Sequence, residues 1–339
     1  MRRIKLIAVD LGFGFTKGFD GQRSVIIPSV LSEHGRTVDS PGPDRLGQDR
    51  GFHIMTDDGT FFAGCRADGD WCSSLQPRQP DRLFGDHGKR LILSVLSDYT
   101  TMESPLHLVL GLPVSHWQRL KDAFVERLIG YHKVHSLQPD GSRIPKNFYI
   151  RKIHTVPHPM GTYLGMLMDA NGRMRDEALK EQKIVLVDIG FGSTNVIVVE
   201  RMRLSNRCSG TIDLGVGRGF EAIDRKLRQE TGYVPRFDRL YQAVRMGSIR
   251  IEGQTYNLER IRAKAFGCLA EELADRIDRM MTVEWDLDRL VLTGGGAREL
   301  AEAIGPLLPG EVSVIENLQD LRLNNVQGQL RLARARWGT

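Results

Sequence analysis

The sequence predicts an α/β protein made of two lobes of similar build that face each other across a cleft. Three observations support this prediction. A chain of 339 residues exceeds the usual size of one compact core. A nine-residue motif occurs twice, about half the chain apart. Strand-like runs alternate with helix-like runs after each copy, which is typical of sheets covered by helices.

The repeated motif is VDLGFGFTK at residues 9–17 and VDIGFGSTN at residues 187–195. A repeat of this length predicts a duplicated domain rather than a solenoid. In each copy an apolar, β-rich run meets Asp-x-Gly and a second strand-like run follows, so each copy predicts a strand, a tight turn and a returning strand. After the first copy, Asp20-Gly21 predicts a hairpin leading to a third strand.

The segments between the copies predict an inserted subdomain and then a return to the first sheet. Residues 32–51 and 66–88 are rich in Gly, Pro, Asp and Ser and predict loops. Hydrophobic patterns predict strands at 106–110 and 153–156, and helices at about 115–129 and 160–170.

Similar patterns continue after the second copy. We expect a strand at 211–214 beyond a polar stretch around Ser205 and Asn206, a helix at 220–230 and a long amphipathic helix at 257–281. Residues 289–292 predict a last buried strand, which leads into three consecutive glycines.

The composition is that of an ordinary globular protein, with 41% hydrophobic and 26% charged residues. Apolar runs such as residues 184–189 have the length of a strand, far short of the roughly 20 residues of a membrane span. The opening MRRIKLIAVD places basic residues before an apolar stretch, but Asp10 interrupts that stretch too early for a signal peptide. We expect a cytoplasmic protein that does not bind membranes.

The cysteine spacing and the charge pattern argue against zinc or redox chemistry and against direct binding of nucleic acid. Cys65, Cys72, Cys208 and Cys268 lack the paired spacing of zinc or redox sites, so we expect reduced thiols. The net charge is +5, but basic residues are interleaved with acidic ones, and only the C-terminal RLARARWGT is locally cationic. That segment is either a solvated helix face or a DNA contact, and we expect little direct binding of nucleic acid.

Each copy of the motif contains a Gly-rich turn that follows a strand. Glycines have no Cβ, so a phosphate can approach the exposed backbone N–H groups closely. The residues expected to bind phosphate are Gly12, Gly14, Phe15, Thr16 and Lys17 in the first copy and Gly190, Gly192, Ser193, Thr194 and Asn195 in the second. One Asp-x-Gly turn is usually an ordinary tight turn, whereas a matched pair indicates two turns that grip a polyphosphate.

Asp10 and Asp188 end their predicted strands at the cleft. Carboxylates in that position can hold the water shell of Mg²⁺, an ion that tends to keep several of its waters. We expect both aspartates to position the metal, mainly through water, and to orient the water that attacks a phosphate.

A third glycine cluster, LTGGGAREL, follows a buried strand and opens a helix. Amides at such a helix start can accept adenosine or α-phosphate groups, so Gly294, Gly295 and Gly296 are expected to contact the nucleotide. Arg298 either stacks on adenine or lies on the helix surface.

A fourth glycine segment, DLGVGRGFEAID, places Gly217 and Gly219 before a predicted helix. Glu221 and Asp224 are then available either to bind the ribose or to cap that helix.

The order of VDLGFGFTK, VPHPMGTYLG, VDIGFGSTN, LGVGRGFEAID and LTGGGA resembles the superfamily of actin, DnaK-type chaperones and sugar kinases, over nearly the whole chain. The short length, the opening VDLGFGFTKGFDGQRSVIIPSVLSE, the segment LGLPVSHW and the closing NNVQGQLRLAR are most similar to ParM/StbA-type bacterial and archaeal actin-like proteins. The resemblance implies a duplicated actin-like, ribonuclease H-like fold with a nucleotide cleft.

The same resemblance implies a domain division and an activity. Domain I is expected at 1–155 with an inserted subdomain at about 32–97. Domain II is expected at 156–339 with an insertion at about 217–285 and a C-terminal helix at about 324–336 that packs back on domain I. The implied activity is a Mg²⁺-dependent ATPase, with GTP as an alternative nucleotide. Its subunits would form filaments that segregate plasmid DNA through a DNA-binding adaptor at the filament end, or that serve intracellular positioning.

One residue departs from the family pattern. The family usually has Glu or Gln after the proline that opens the helix below the γ-phosphate, and here that position is His158 in VPHPMG. His158 is therefore either a catalytic residue that makes hydrolysis slow or pH-sensitive, or a structural histidine between two prolines.

Two other functions belong to the same superfamily. A sugar-kinase-like phosphotransferase needs a separate catalytic Asp on the second lobe, for which we find no candidate. A non-polymerising nucleotide-binding scaffold is favoured by the histidine at position 158.

Overall fold

The structure is a computed structural model that describes residues 4–32, 51–64, 80–100, 104–138, 140–235, 237–281, 286–315 and 320–338. The elements of the first half are β1 Lys5–Leu11, β2 Phe15–Phe19, β3 Ser24–Pro28, β4 Leu31–Ser32, β5 Phe52–Thr56, β6 Gly59–Ala63, α1 Pro80–Leu83, α2 Asp86–Tyr99, β7 Ser104–Leu112, α3 Val114–Leu128, β8 Gly130–His132, β9 Val134–Leu137, β10 Arg143–Pro145, β11 Phe148–Pro157 and α4 His158–Leu167.

The second half repeats this plan with a different insertion. Its elements are β12 Lys183–Ile189, β13 Thr194–Glu200, β14 Arg203–Ile212, α5 Gly217–Thr231, α6 Phe237–Met246, β15 Ser248–Ile251, β16 Gln254–Asn257, α7 Glu259–Met281, β17 Arg289–Thr293, α8 Ala297–Ile304, β18 Val312–Val314 and α9 Asn324–Trp337.

Each lobe is centred on one mixed sheet. The first sheet has the order β3-β2-β1-β7-β11-β8 and the second the order β14-β13-β12-β17-β18. In both, the repeated motif forms the central strand and its antiparallel partner, and parallel strands continue on the other side. The predicted α/β architecture of two lobes of similar build is therefore confirmed.

The duplication extends to the strand register. Asp10 of β1 lies opposite Lys17 on one neighbour and Gly111 on the other. Asp188 of β12 lies opposite Asn195 and Thr293 in the same way. The two aspartates therefore occupy equivalent positions, one residue before the end of each central strand.

Alternating side chains separate the two faces of each sheet. In β12, Val185 and Val187 pack in the core beneath α5 and α7, whereas Ile184 and Leu186 pack against α4. Because Asp188 follows in the alternation, it shares the α4 face. By the same rule Asp10 shares a face with Ala8, which packs against α9.

The helices α4 and α9 each pack on the sheet of the opposite lobe. α4 directly follows the last long strand of the first sheet, yet its Tyr163 and Leu167 pack on the second sheet. α9 ends the chain, yet its Leu330 and Ala333 pack on the first sheet. The two helices cross where Gly161 meets Gly328, and a Cβ on Gly328 would overlap the backbone of Gly161. Both helices thus tie the lobes together behind the cleft.

The structure corrects several predicted boundaries. The prediction of a loop at 66–88 is wrong from residue 80 onward. Helices α1 and α2 form there, because Leu83 and Phe84 are buried. Residues 65–79 and 33–50 lie outside the described residues. β14 runs through the polar stretch around Ser205 and ends at Ile212. The helix expected from residue 160 starts at His158, because a proline in the first turn loses no helical hydrogen bond.

Two further expectations concern the long helix and the cysteines. Residue Asn257 belongs to β16, and its side chain accepts the N–H of Glu259 at 2.8 Å, so α7 begins at Glu259. Cys208 is buried and Cys268 exposed, both as free thiols, whereas Cys65 and Cys72 lie outside the described residues. Within the described ranges, no helix combines the length and hydropathy needed to cross a membrane.

Candidate nucleotide site

The first Gly-rich turn joins β1 to β2 and is held by its own backbone. The N–H of Gly12 donates to the Phe15 carbonyl at 3.1 Å, and the N–H of Ser29 donates to the Gly14 carbonyl at 2.9 Å. The Thr16 hydroxyl is fully buried and lies 2.9 Å from the Ser29 hydroxyl, which donates to the Gly12 carbonyl at 2.6 Å. Thr16 therefore braces the turn from behind.

The second turn repeats this arrangement between β12 and β13. The N–H of Gly190 donates to the Ser193 carbonyl at 2.9 Å, and the buried Thr194 hydroxyl donates to the Leu214 carbonyl at 2.8 Å. Asn195 is also buried, and its side-chain oxygen accepts the Val114 N–H at 3.3 Å. Asn195 thus joins the second sheet to α3 of the first lobe.

The two turns meet across the cleft. The rings of Phe15 and Phe191 form an edge-to-face pair with centroids 6.0 Å apart. A Cβ on Gly14 would lie 2.9 Å from the Cβ of Phe191, so the glycine allows this close approach. Both predicted phosphate turns, with Gly192 next to Phe191, therefore lie side by side where the two lobes meet.

Asp10 lies beside the first turn, on the floor of the cleft between the lobes, and is fully buried. Lys17 Nζ donates to its Oδ2 at 2.8 Å, His158 Nδ1 contacts its Oδ1, and Gln329 Nε2 donates to Oδ1 at 3.2 Å. Burial raises the pKa of Asp10, but the charges of His158 and Lys17 and their hydrogen bonds outweigh burial and hold the pKa well below its ordinary value. Asp10 is therefore ionised and held by Lys17 and His158.

Asp188 has a different environment. It keeps 7% exposure, and Asn325 Nδ2 donates to its Oδ2 at 2.7 Å. Burial raises the pKa of Asp188, the negative charge of Asp10 adds to the rise, and Lys17, His158 and the Asn325 hydrogen bond oppose it only in part. The duplicated aspartates therefore differ in acidity, so that Asp188 is the better proton acceptor of the two.

The third glycine cluster lies directly against Asp188. Gly294 has a φ of 86°, and a Cβ there would overlap Oδ1 of Asp188, so only glycine fits. Gly296 donates its N–H to the Ile189 carbonyl at 2.8 Å. A Cβ on Gly295 would lie 2.7 Å from Cγ of Arg322. The cluster thus extends the cleft from the second turn toward Arg322.

The fourth glycine segment has a packing role that the sequence did not reveal. Gly217 and Gly219 lie inside the first turn of α5, not before it as predicted. A Cβ on Gly217 would lie 2.9 Å from the carbonyl oxygen of Phe191, so this glycine lets α5 approach the second turn. Glu221 is exposed and pairs with Arg218 at 3.5 Å.

Two predicted ligands of the nucleoside lie at helix surfaces in this structure. Asp224 pairs with Arg228 at 2.9 Å on α5. Arg298 is exposed on the first turn of α8. Neither residue is among the side chains that surround Asp10 and Asp188.

Four residues at the site were not predicted from the sequence. Asn325 and Gln329 of α9 contact the two aspartates, and Thr162 of α4 donates its hydroxyl to Asn325 Oδ1 at 2.7 Å. Arg322 lies over the Phe15 ring at 5.3 Å and pairs with Asp320 at 2.7 Å. The segment NNVQGQ carries no Gly-rich or acidic signal, so only its position in the fold reveals it.

The aspartates fit a magnesium ion held mainly through water. Among the described residues there is no group of three or more His, Cys, Asp or Glu that could hold a metal ion. Mg²⁺ commonly uses only one or two carboxylates and keeps several waters. Asp10 is held by Lys17 and His158, whereas Asp188 keeps some exposure, so Asp188 is the more accessible of the two carboxylates.

Two duplicated lobes, with equivalent aspartates and Gly-rich turns facing one cleft, define an actin-like protein with a candidate nucleotide site. Residues 8–161 match the family model of the N-terminal domain of actin like proteins. Residues 186–305 match the model of the archaeal actin homologue MreB-like, C-terminal. The chain belongs to the actin-like superfamily.

Individual relatives agree with this assignment. An archaeal actin homolog of Thermoplasma acidophilum is 26% identical, over 95% of this chain and 97% of the relative. A crystal structure of an archaeal actin homolog has a TM-score of 0.77 at 21% identity, over 97% of this chain and 99% of that one. The complex of that homolog with ADP gives 0.75 at 20%, with the same coverage. A 15-stranded ParM filament from Clostridium botulinum gives 0.72 at 20%, over 98% and 99% of the two chains.

Proposed function

We propose that this protein binds Mg-ATP, or Mg-GTP, between its lobes, hydrolyses it, and assembles into filaments that depend on the nucleotide. The observation that carries the proposal is the equivalence of Asp10 and Asp188, each at the end of a central strand beside a Gly-rich turn, with both turns in contact. The crystal structure of the archaeal homolog in complex with ADP supports nucleotide binding by a protein of this fold.

The roles of the residues follow from their surroundings. Backbone amides of the two turns and of Gly294–Gly296 would hold the phosphates and the nucleoside. Lys17 pairs with Asp10 in this structure. Its ammonium group lies next to the first turn, where it would form an ion pair with a phosphate oxygen. Asp188, which keeps some exposure near the end of β12, would orient the attacking water and accept its proton.

Mg²⁺ would be held through water by Asp188 and Asp10 and would supply charge to offset the phosphates. Hydrolysis by in-line attack requires little beyond this positioning and electrostatic stabilisation. Closure of the lobes around the nucleotide would then control subunit contacts, because α4 and α9 tie both lobes to the site.

Assembly and cargo are inferred from the family. The ParM filament supports self-association of this chain. We propose that the filaments lie in the cytoplasm and position plasmid DNA or another cargo through an adaptor protein, because a charge of +5 with interleaved acids is a weak footprint for direct DNA binding. We also propose domain boundaries of 1–155 and 156–339, with insertions at 32–97 and 217–285 and helix 324–336 returning to domain I.

A second candidate function is a nucleotide-binding scaffold that does not polymerise or turn over. The contact of His158 with Asp10 favours it, because an imidazole engaged with a carboxylate on the floor of the cleft is not free to orient water.

Three measurements test these proposals: calorimetric titration, sedimentation and an assay of phosphate release. Calorimetric titration with ATP and GTP should give one site per chain, and absence of binding by either would overturn the proposed function. Sedimentation with ATP, ADP or no nucleotide should then give a pellet that depends on the nucleotide. If the protein binds and hydrolyses nucleotide but never pellets, the proposed filament assembly is wrong. If it binds nucleotide but neither hydrolyses it nor pellets, the protein is the non-polymerising scaffold.

A DNA shift assay at about 150 mM salt, near physiological ionic strength, completes the test. Direct binding should be weak and should fall steeply as salt rises. Tight, sequence-specific binding by the protein alone would refute the adaptor.

A further inference from the structure

The two aspartates are held by side chains of a single helix. Asn325 and Gln329 are four residues apart on α9, so they lie on the same face, one turn apart. Asn325 Nδ2 donates to Asp188 of the second lobe at 2.7 Å, and Gln329 Nε2 donates to Asp10 of the first lobe at 3.2 Å. One helix turn therefore spans the distance between the two strand ends.

The orientation of the Asn325 amide is determined by a chain of hydrogen bonds. Asn324 Nδ2 donates to the Thr293 hydroxyl at 2.9 Å, and that hydroxyl lies 3.2 Å from the hydroxyl of Thr162. Thr162 in turn donates to Asn325 Oδ1 at 2.7 Å. Since the amide oxygen is used in this way, its NH₂ group must face Asp188.

The buried position of the Gln329 carboxamide leaves one of its polar atoms without a hydrogen bond. It is fully buried, and its Oε1 has no hydrogen-bond partner in the part of the chain that the structure describes. A buried acceptor that has no partner destabilises the folded protein. An apolar side chain of the same shape would avoid that cost, so the carboxamide serves Asp10 rather than the packing of the helix.

The helix is kept close to the strands by small residues. A Cβ on Gly111 of β7 would overlap both Gln329 Nε2 and Asp10 Oδ1, and Gly161 and Gly328 bring α4 and α9 into backbone contact. The carboxamides therefore have little freedom to move away from the aspartates.

We propose that Asn325 and Gln329 are positioning residues that clamp Asp188 and Asp10 at the separation that magnesium nucleotide requires. This inference rests on the proposed function. A neutral donor suits the task, because it fixes a carboxylate without cancelling the charge that the ion needs. Residues that orient metal-binding groups in this way typically change metal affinity or activity 10- to about 100-fold when replaced.

The test uses Gln329→Met and Asn325→Leu in the full chain, with Leu330→Ala as control. Leu330 lies on the same helix and is buried against the first sheet, so its truncation should lower the melting temperature without removing a hydrogen bond to either aspartate. The measurements are the melting temperature, ADP affinity with and without Mg²⁺ by calorimetry, and kcat and KM for ATP.

Both amide variants should lose most of the gain in ADP affinity that Mg²⁺ provides, and kcat should fall about 10- to 100-fold, while affinity for metal-free ADP is unchanged. Gln329→Met should melt no lower than the wild type, a combination that a merely structural residue cannot produce. Leu330→Ala should melt lower but keep the Mg²⁺ effect. If the wild type binds nucleotide and both amide variants retain the full Mg²⁺ effect, this inference alone is wrong. If the wild type binds no nucleotide, the proposed function fails with it.

Discussion

His158 Nδ1 contacts Oδ1 of Asp10, although the two residues are 148 positions apart in the chain. His158 begins α4, and Asp10 lies near the end of β1. Both side chains are almost completely buried. The histidine that departs from the family pattern is therefore part of the floor of the cleft, in contact with the carboxylate that Lys17 also holds.

This contact makes the effect of His158→Gln a test of catalysis. Glutamine is a residue type that the family uses at this position, and it can still donate to Asp10. We expect kcat for ATP to be kept or raised, because Lys17 still holds Asp10 and the glutamine oxygen remains available to orient water while its NH₂ group donates to Asp10. A folded variant with no ATPase activity would show that the imidazole itself is needed.

Asp188→Ala should separate hydrolysis from binding. The proposed task of Asp188 is to orient water and accept its proton, and loss of such a group typically lowers the rate by at least about 100-fold. Affinity for metal-free ADP should change little, since the turns and the glycine cluster remain. The matched control is Asp86→Ala, whose side chain is 76% exposed. Equal turnover in wild type and Asp188→Ala would exclude Asp188 from the mechanism.

His87 should make stability depend on pH. Its Nε2 lies 3.1 Å from the carbonyl of Ser29, the residue that braces the first turn, and burial lowers its pKa from 6.5 to about 4. The stability due to neutral His87 is present above pH 6.5 and is lost as pH falls through about 4, because the unfolded chain takes up the proton first. The loss should reach about 3 kcal/mol.

Denaturant unfolding of wild type and His87→Gln between pH 7 and pH 4 would measure this effect. The glutamine amide can still donate to Ser29 but does not titrate, so the variant should lose less stability over this range. Parallel pH curves for the two proteins would contradict the assignment to His87.

The crossing of α4 and α9 should not tolerate a side chain. Gly328→Ala would force a methyl group into the backbone of Gly161, and we expect a loss of about 1–3 kcal/mol or more. Gly267→Ala is the matched control, because Gly267 lies within α7 and a Cβ there has no atom within 4 Å. That change should stabilise the helix by about 0.5–1 kcal/mol. Equal melting temperatures for the two variants would show that the crossing can relax.

Much of this site could be predicted from the sequence because its signals are local. A glycine turn after a β-rich run can be recognised from consecutive residues. Because the motif occurs twice, it also predicts that Asp10 and Asp188 lie at equivalent strand ends. Boundaries were less accurate where burial decided them. Helix α1, for example, forms because Leu83 and Phe84 find a core, which composition alone could not indicate.

The sequence by itself determined the duplication, the two aspartates and the glycine turns, since each depends on neighbours within a few residues. Only the tertiary structure decided that His158 faces Asp10, that Asn195 binds α3, and that Asn325 and Gln329 hold the aspartates of opposite lobes. Gln329 and Asp10 are 319 positions apart. Such contacts depend on how two packed helices cross, and the crossing is set by the shapes of both lobes together.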